Sequence, residues 1–547
     1  MLIDSEEKPR LVSAGQGFCS LNTVQYKNRF LYSKYNPDKA VLQTIQSLVI
    51  LPQTLVIVCS PVLWYGIEQL LAKCDQTSCV IAYEADQNLF TLAKESPHPQ
   101  TVKLYRTQDL NDLDKKIRSA MQEGNFRRAI RVDLSAGVQF NAAQYEYVAN
   151  ACEEIIANFW KSRITITRLG KLFAKNTLTN LAFLPKGKTL KAYEKTISKP
   201  ILVCGAGESL DETIKTLTQK NLAQNFYIIA VDASFSALTD AGIEVQAVVA
   251  MESQFAIQNA YCGLTNKTVT LFADIVSRPQ VTQLFEGTTV WFASRYADVS
   301  FLDSIINTFF EGKYFEPLGS VGLGAVKIAL ALRKNETIPI YVSGLDFSYS
   351  AGRTHAKNTP AFKTQTNRAN RITQGSVFNA SFNEYSSLVK GKNNKTCFST
   401  PSLLMYAKLF TQLFADKANV FDAGKTGCPL GLPQKGIDLV EKSESENVFT
   451  KETSLVSNEQ IKSFYNTEMQ ALKQIRDLLS KGENSSYRDS TKPLSQQIHT
   501  LLQKREYLYL HFPDGYRLSM ESSFLKRVRA ELDSFIKIIE VSLRLFP

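Results

Sequence analysis
Histidine is scarce in this sequence: His98, His355, His499 and His511 are the only four, and no H-E-x-x-H occurs. The nine cysteines are scattered, with Cys74 and Cys79 five apart and no C-x-x-C pair. These gaps exclude the common zinc patterns, so no metal site is expected. Irregularly spaced thiols fit a reducing cytoplasm better than a disulfide scaffold. Long apolar runs are also missing. The most apolar region, residues 40–64, is interrupted by Gln43, Gln46, Pro52, Gln53 and Pro61. It falls short of the ~20 apolar residues that a membrane span needs and reads as helix, turn and strand. The opening MLIDSEEKPR is acidic and polar, unlike a secretory signal. No interleaving of basic and aromatic residues marks a nucleic-acid module. The expectation is a cytoplasmic chain with neither membrane nor nucleic acid among its partners.

What is present is globular: 44% hydrophobic and 21% charged residues in 547. At ~150–200 residues per domain, about three domains are expected. The net charge of +11 suits acidic partners or anionic ligands.

The predicted fold class is α/β: two Rossmann-like domains with mostly parallel sheets, followed by a helical domain. Residues 1–195 form the first. TLVIVC (Thr54–Cys59) reads as a buried strand, residues 61–73 as a helix, and CVIAYE (Cys79–Glu84) as the next strand. The intervening loop, Ser60 to Gly66, has one glycine among bulky neighbours. Phosphates need a closer backbone approach, so this domain reads as structural. A further strand is expected at residues 126–134, with separate helices at 142–160 and 167–184.

Residues 196–432 form the central domain. ILVC runs into Gly205-Ala206-Gly207-Glu208-Ser209 and a helix, and Ser209 and Glu212 have capping-box spacing. Free N–H groups there make an anion cradle, or simply a tight turn. Leu210 replaces the third glycine of a dinucleotide fingerprint. Asp232, Glu252 and Asp274 each stand just past a predicted strand, as ribose or sugar ligands or as turn residues. Gly319-Ser320 precedes an apolar helix. Residues 338–344 form another strand, leading into a polar loop with Asp346, Tyr349, Arg353, Thr354, His355 and Lys357. No acid occurs from Phe347 to Asn383, while Arg353, Lys357, Lys363, Arg368 and Arg371 do. This suits a phosphate or carboxylate, and equally a solvated basic loop.

Four stretches, CGAGESLDETI (Cys204–Ile214), AGIEVQAVVAMESQ (Ala241–Gln254), GSVG (Gly319–Gly322) and GLDFSYSAGRTHAKNT (Gly344–Thr359), resemble the motility-associated factor glycosyltransferases. YSKYNPDKAV (Tyr32–Val41) and VIAYEADQNLF (Val80–Phe90) resemble that family's amino-terminal region. Glu208 and Glu252 stand where the family usually has Pro and Asp. The resemblance implies a central domain similar to bacterial sialyltransferases. It further implies transfer of a nonulosonic acid, of pseudaminic or legionaminic type, from a CMP-activated donor to Ser or Thr of flagellin. No cofactor beyond that donor substrate is implied. Gly205, Gly207, Ser209, Asp232, Glu252, Gly319, Ser320, Arg353, Thr354 and Lys357 are then the expected donor-binding residues.

An acceptor alcohol must lose its proton, and His is suited to that near neutral pH. His355 is the one histidine of the central domain and the expected base, unless it only pins the loop or contacts phosphate. Asp346 and Tyr349 are the next catalytic candidates. An inverting transfer without metal is the expected chemistry. Two alternatives stand beside it. One is a pterin alcohol pyrophosphokinase, since an archaeal enzyme of that activity has a related central domain; it would place Mg²⁺ on Asp232, Glu252 or Asp346. The other is a non-catalytic flagellar binding protein. Residues 433–547 carry apolar residues at helical spacing over 457–480, 494–502 and 523–545 and no chemical motif.

Overall fold
The computed structural model describes residues 8–14, 21–122, 126–262, 269–369, 376–440, 456–484 and 492–546. Its chain contacts form two compact units, Met1–Arg168 with Tyr509–Leu518, and Leu169–Leu508 with Ser519–Pro547.

In the first unit, strands β1 (Arg10–Ser13), β2 (Asn22–Tyr26) and β3 (Arg29–Phe30) pair antiparallel. Strands β4 (Thr54–Cys59), β5 (Cys79–Tyr83), β6 (Lys103–Tyr105) and β7 (Arg128–Asp133) form a parallel sheet in the order β6-β5-β4-β7. Val56 and Val58 of β4 enter one core, and Leu55, Ile57 and Cys59 enter another. Alternate residues of a strand face opposite ways, so burial on both faces makes TLVIVC continuously apolar. Helices α1 (Lys39–Ser47), α2 (Ile67–Lys73), α3 (Gln87–Glu95) and α4 (Leu110–Gln122) accompany this sheet. Next comes α5, Ala142–Asn180, whose residues from Leu169 onward count with the second unit. It is one helix of 39 residues where the sequence predicts two.

The second unit is built on an eight-stranded parallel sheet. Its strands are β8 (Lys188–Thr189), β9 (Ile201–Cys204), β10 (Tyr227–Val231), β11 (Ala247–Ala250), β12 (Thr270–Asp274), β13 (Thr289–Phe292) and β14 (Ile340–Ser343). A hairpin of β15 (Ser387–Lys390) and β16 (Thr396–Ser399) precedes the eighth sheet strand, β17 (Val420–Asp422). The sheet order is β17-β14-β9-β10-β11-β12-β13-β8. From β9 the chain winds one way to β13, then returns to place β14 on the other side of β9. The switch point, where open α/β sheets bind ligands, therefore lies between β9 and β14.

Helices α6 (Leu210–Gln219), α7 (Asp232–Asp240), α8 (Pro279–Thr282), α9 (Ser300–Phe309), α10 (Val321–Leu332), α11 (Pro360–Arg368), α12 (Ser376–Asn379) and α13 (Pro401–Phe414) accompany it. Of these, α10 packs on β9, β10, β11 and β14. Buried amides at the end of α5 fix the loops beyond β11 and β12. Asn176 donates to the carbonyls of Ser253 and Val276, and Asn180 to those of Ile275 and Ser277, all at 2.8–3.2 Å. The three carboxyl-terminal helices are α14 (Asn458–Asn484), α15 (Lys492–Leu502) and α16 (Ser522–Leu543). Both α15 and α16 pack on α14. A buried trio holds them: Arg505 pairs with Glu468 at 2.9 Å and Tyr507 donates to it at 2.5 Å. The class is α/β, with two Rossmann-like sheets and carboxyl-terminal helices. No described helix is long and apolar enough to cross a membrane.

Candidate functional site
The loops after β9 and β14 meet at the switch point and are bonded backbone to backbone. Gly205 N–H donates to the Ser343 carbonyl at 2.8 Å, Gly207 N–H to Gly344 at 2.7 Å, and Ala356 N–H to Ala206 at 2.9 Å. Gly344 has φ +70, and a Cβ there would lie 2.2 Å from the Gly205 carbonyl oxygen. Only glycine permits both that conformation and that approach. Gly205 and Gly207 thus serve contact between two loops, whatever else they meet.

Asp346 is the centre of this contact. It is 3% exposed. Its carboxylate accepts from the Ser209 N–H at 2.8 Å and the Ser209 hydroxyl at 2.5 Å, while the Gly344 N–H donates to that hydroxyl at 2.9 Å. Burial pushes its pKa up to about 6, against the lowering effect of the Ser209 bonds. The predicted capping box does not form. Helix α6 begins at Leu210, but the Ser209 side chain makes no cap bond, and Glu212 pairs with Lys425 instead. Asp346 accepts the N–H that a cap would otherwise satisfy, and a carboxylate beside a helix N-terminus is favourable.

Further ties fasten the segment after β14 to Glu208, to α6 and to α7. Ser350 donates through N–H and hydroxyl to Glu208, at 2.5 and 2.9 Å. Arg353 forms an ion pair with Asp211, and the Lys357 N–H donates to Asp211 at 3.0 Å. Lys363 pairs with Asp240 at 2.5 Å. Two of the five cations in the acid-free stretch, Arg353 and Lys363, are therefore paired with acids of α6 and α7, which linear spacing does not reveal. Lys357 is exposed and has no ion pair among the described residues. Arg371 lies outside those residues. Tyr349 is 6% exposed, donates to the Ala380 carbonyl at 2.6 Å, and stacks on Phe398.

His355 is differently placed. Its Nδ1 lies 2.9 Å from the Thr354 hydroxyl, which donates to Gln365 Oε1 at 3.3 Å. A hydroxyl that donates to Gln365 accepts from an Nδ1–H, and in that tautomer Nε2 is the basic nitrogen. Burial lowers the imidazole below its ordinary 6.5, so the ring is neutral at pH 7, the form a base requires.

A second group of residues gathers beyond β10 and β11. Asp232 opens α7 and is 4% exposed; one oxygen accepts from Ala233 N–H at 2.7 Å, and the other has no partner. Burial, then the nearby charge of Glu252, pushes it up to about 7. The Tyr261 hydroxyl, within the field of Asp232, is also buried without a partner. Glu252 accepts from Gln254 N–H at 2.9 Å and acts electrostatically on Tyr406. Tyr406 in turn packs on Gly319, and Ser320 begins α10 with no side-chain cap bond. Ser236 of α7 donates to the Asn358 carbonyl at 3.3 Å, joining this group to the β14 loop. Asp274 accepts from the Val276 and Ser294 N–H groups through one oxygen, while its other oxygen is buried without a partner and burial pushes its pKa up to about 6. Among the described residues no three His, Cys, Asp or Glu side chains are grouped to hold a metal ion.

Residues 175–352 match the family model of 6-hydroxymethylpterin diphosphokinase MptE-like proteins. An uncharacterized protein of Treponema pallidum is 28% identical, over 97% of this chain and 95% of its own. The structure of a Maf glycosyltransferase from Magnetospirillum magneticum superposes with a TM-score of 0.53 at 12% identity, covering 98% of this chain and 92% of that one. The chain has the fold of a Maf glycosyltransferase. Its central region is similar to the MptE-like family. The resemblance read from the four motifs is thus met by both fold and family model. Sequence reasoning missed Asp211, Tyr261, Gln365 and Tyr406. Only Asp211 had a local signal, as an acid in the first turn of a helix beside the glycine loop.

Proposed function
We propose that this chain is a glycosyltransferase that moves an acidic sugar from a nucleotide-activated donor to a protein hydroxyl. The observation that carries the reading is the hydrogen-bonded chain His355–Thr354–Gln365 at the sheet's switch point, which holds an imidazole that burial keeps neutral at pH 7. His355 Nε2 takes the proton of the acceptor hydroxyl as the bond to the sugar forms. The leaving phosphate and the sugar carboxylate fall to the exposed Lys357 ammonium and the uncapped N-terminus of α10 at Ser320, where N–H groups favour anions. Asp346, with its carboxylate engaged by Ser209, positions the loop. The fold and the motif resemblance favour a CMP-linked nonulosonic acid as donor and flagellin as acceptor, in a cytoplasmic, inverting reaction without metal.

The test is intact-mass analysis of flagellin incubated with donor and with the chain or its His355→Asn variant. Turnover should fall by ~10²–10⁴ in the variant, with CMP affinity nearly unchanged. Near-normal turnover in the folded variant would remove His355 as the base. Because its pKa is lowered, the acid limb of the rate profile should lie below pH 6.5. The match to MptE-like proteins favours one second reading, pyrophosphate transfer to a pterin alcohol, in which Asp232 and Glu252 would serve Mg²⁺. ATP turnover abolished by EDTA would select it.

A further inference from the structure
Away from the switch point, the second unit holds a cavity of about 540 Å³ where β8 and β13 run beside the later turns of α10. Strands β10, β11 and β12 separate β13 from β9 in the sheet, and no residue of the switch-point site lines the cavity. Its size is that of a small-molecule pocket, roughly 300–1,000 Å³. Leu190, Trp291, Phe292, Phe310, Phe315 and Leu330 supply apolar wall.

The charges around it are unequal. Lys191 pairs with Glu311 at 2.8 Å, and Lys313 with Glu194 at 3.0 Å, so these rim residues cancel one another. Lys327 is left over. It is the one charged residue of VGLGAVKIALAL, the sequence of α10. Half-buried, it lines the cavity with its ammonium 4.5 Å from the centre of the Phe315 ring and has no ion pair among the described residues. Burial pushes its pKa below the ordinary value, with Glu316 offsetting only part of this. A half-buried lysine without a counter-ion, in a helix otherwise apolar, is costly unless something anionic meets it.

We propose that this cavity binds an amphipathic small-molecule anion, with an apolar, ring-containing body against the aromatic wall and one carboxylate, sulfonate or phosphate on Lys327. The occupant is not the sugar donor, whose expected residues lie elsewhere. It bears on the same helix, however. Lys327 follows Ser320 by seven residues, about 10 Å along α10, and Phe315 belongs to the segment leading into Gly319.

The probe is 8-anilinonaphthalene-1-sulfonate, an aromatic body with one fixed negative charge, added to the full chain. Its uncharged counterpart is N-phenyl-1-naphthylamine. The sulfonate should show one saturable site, at least ~10-fold tighter than the neutral probe. Lys327→Met keeps the apolar stem, and it should weaken the sulfonate by ~10-fold or more while sparing the neutral probe. Ala331→Trp should exclude both by filling the cavity, with Ala331→Met as the milder variant should the first fail to fold. Saturable sulfonate binding unchanged by Lys327→Met in a folded protein would overturn the proposal. So would binding unchanged by filling at Ala331, or no saturable binding at all.

Discussion
The two parallel sheets place different loops after β4 and after β9, each an interior strand of its sheet. After β4 the loop is filled by its own side chains. Ser60, Val62, Trp64 and Gly66 all have positive φ, yet only one is glycine. Val62 and Trp64 are almost fully buried; the Trp64 indole donates to the Ala93 carbonyl at 2.7 Å and stacks on His98. The Tyr32 hydroxyl donates to the Pro61 carbonyl at 3.0 Å and accepts from Leu63 N–H at 3.1 Å. Side chains occupy the space that a phosphate would need. After β9 the loop is small, and its neighbours bond to it through main chain and carboxylates. The strand-end acids differ too. Glu84, after β5, accepts from the Tyr145 hydroxyl and Asp86 N–H through one oxygen. Asp232, after β10, has only the N–H of its own neighbour. Each acid keeps one buried oxygen without a partner, so the difference between the sheets lies in the loops, filled by side chains after β4 and small after β9.

The contrast breaks most sharply at glycine. Alanine at Gly344 would combine positive φ with a contact of 2.2 Å to main chain, whereas at Gly66 (φ +77) the nearest atom is the movable Ile45 Cδ1 at 2.5 Å. Left-handed backbone costs an alanine roughly 1–2 kcal/mol, and overpacking adds about 1–3 kcal/mol where nothing can yield. Gly344→Ala should therefore destabilise the second unit by about 2–5 kcal/mol, and Gly66→Ala the first by about 1–2 kcal/mol. Denaturant titration followed by probes in each unit reads both. Equal losses would show that the contact between the β9 and β14 loops is not the tighter constraint.

Buried acids sharpen the comparison next. Asp232 and Glu84 are both pushed up to about 7, mainly by burial. A raised folded-state pKa means that the folded form holds the extra proton. Its contribution is full below the unfolded value near 4 and is lost as pH rises to about 7. Asp232→Asn should match the parent near pH 4 and exceed it by about 4 kcal/mol at pH 8. Glu84→Gln should behave alike without ligand. CMP should shift only the Asp232 profile, because the β4 loop is closed; a shift at Glu84 instead would move the ligand to the first unit.

Much of this was legible in sequence, for reasons that also explain the failures. TLVIVC and YIIAV (Tyr227–Val231) declare themselves because parallel strands are buried on both faces. The short β1–β3 and the exposed β15 lack such runs and went unread. Helix α5 was divided because Ile164, Thr165, Ile166, Thr167 and Gly170 weaken local helix preference, which tertiary contacts such as those of Asn176 and Asn180 override. In the site, glycines and the His355 segment were visible as motifs. The partners that decide their state were not: Asp211 reaches Arg353 across 142 positions, and Tyr406 meets Gly319 from another helix.

The smallest expected effect separates the two cations of that segment. Sequence alone treats Arg353 and Lys357 alike, as positive charges for the donor. In the fold, the Arg353 guanidinium is joined to Asp211 and its Nε donates to the His355 carbonyl at 3.3 Å. Its removal frees a partly buried carboxylate and loosens the turn that carries His355. Arg353→Ala should therefore cost about 1 kcal/mol of stability and lower turnover along with donor affinity. The Lys357 side chain is exposed, so Lys357→Ala should alter stability by less than ~0.5 kcal/mol and raise the donor's apparent dissociation constant alone. Parallel thermal unfolding and CMP titration of the two variants decide the matter. A Lys357→Ala protein that binds donor normally would leave the α10 N-terminus as the anion site, with the β14 loop serving only to hold His355.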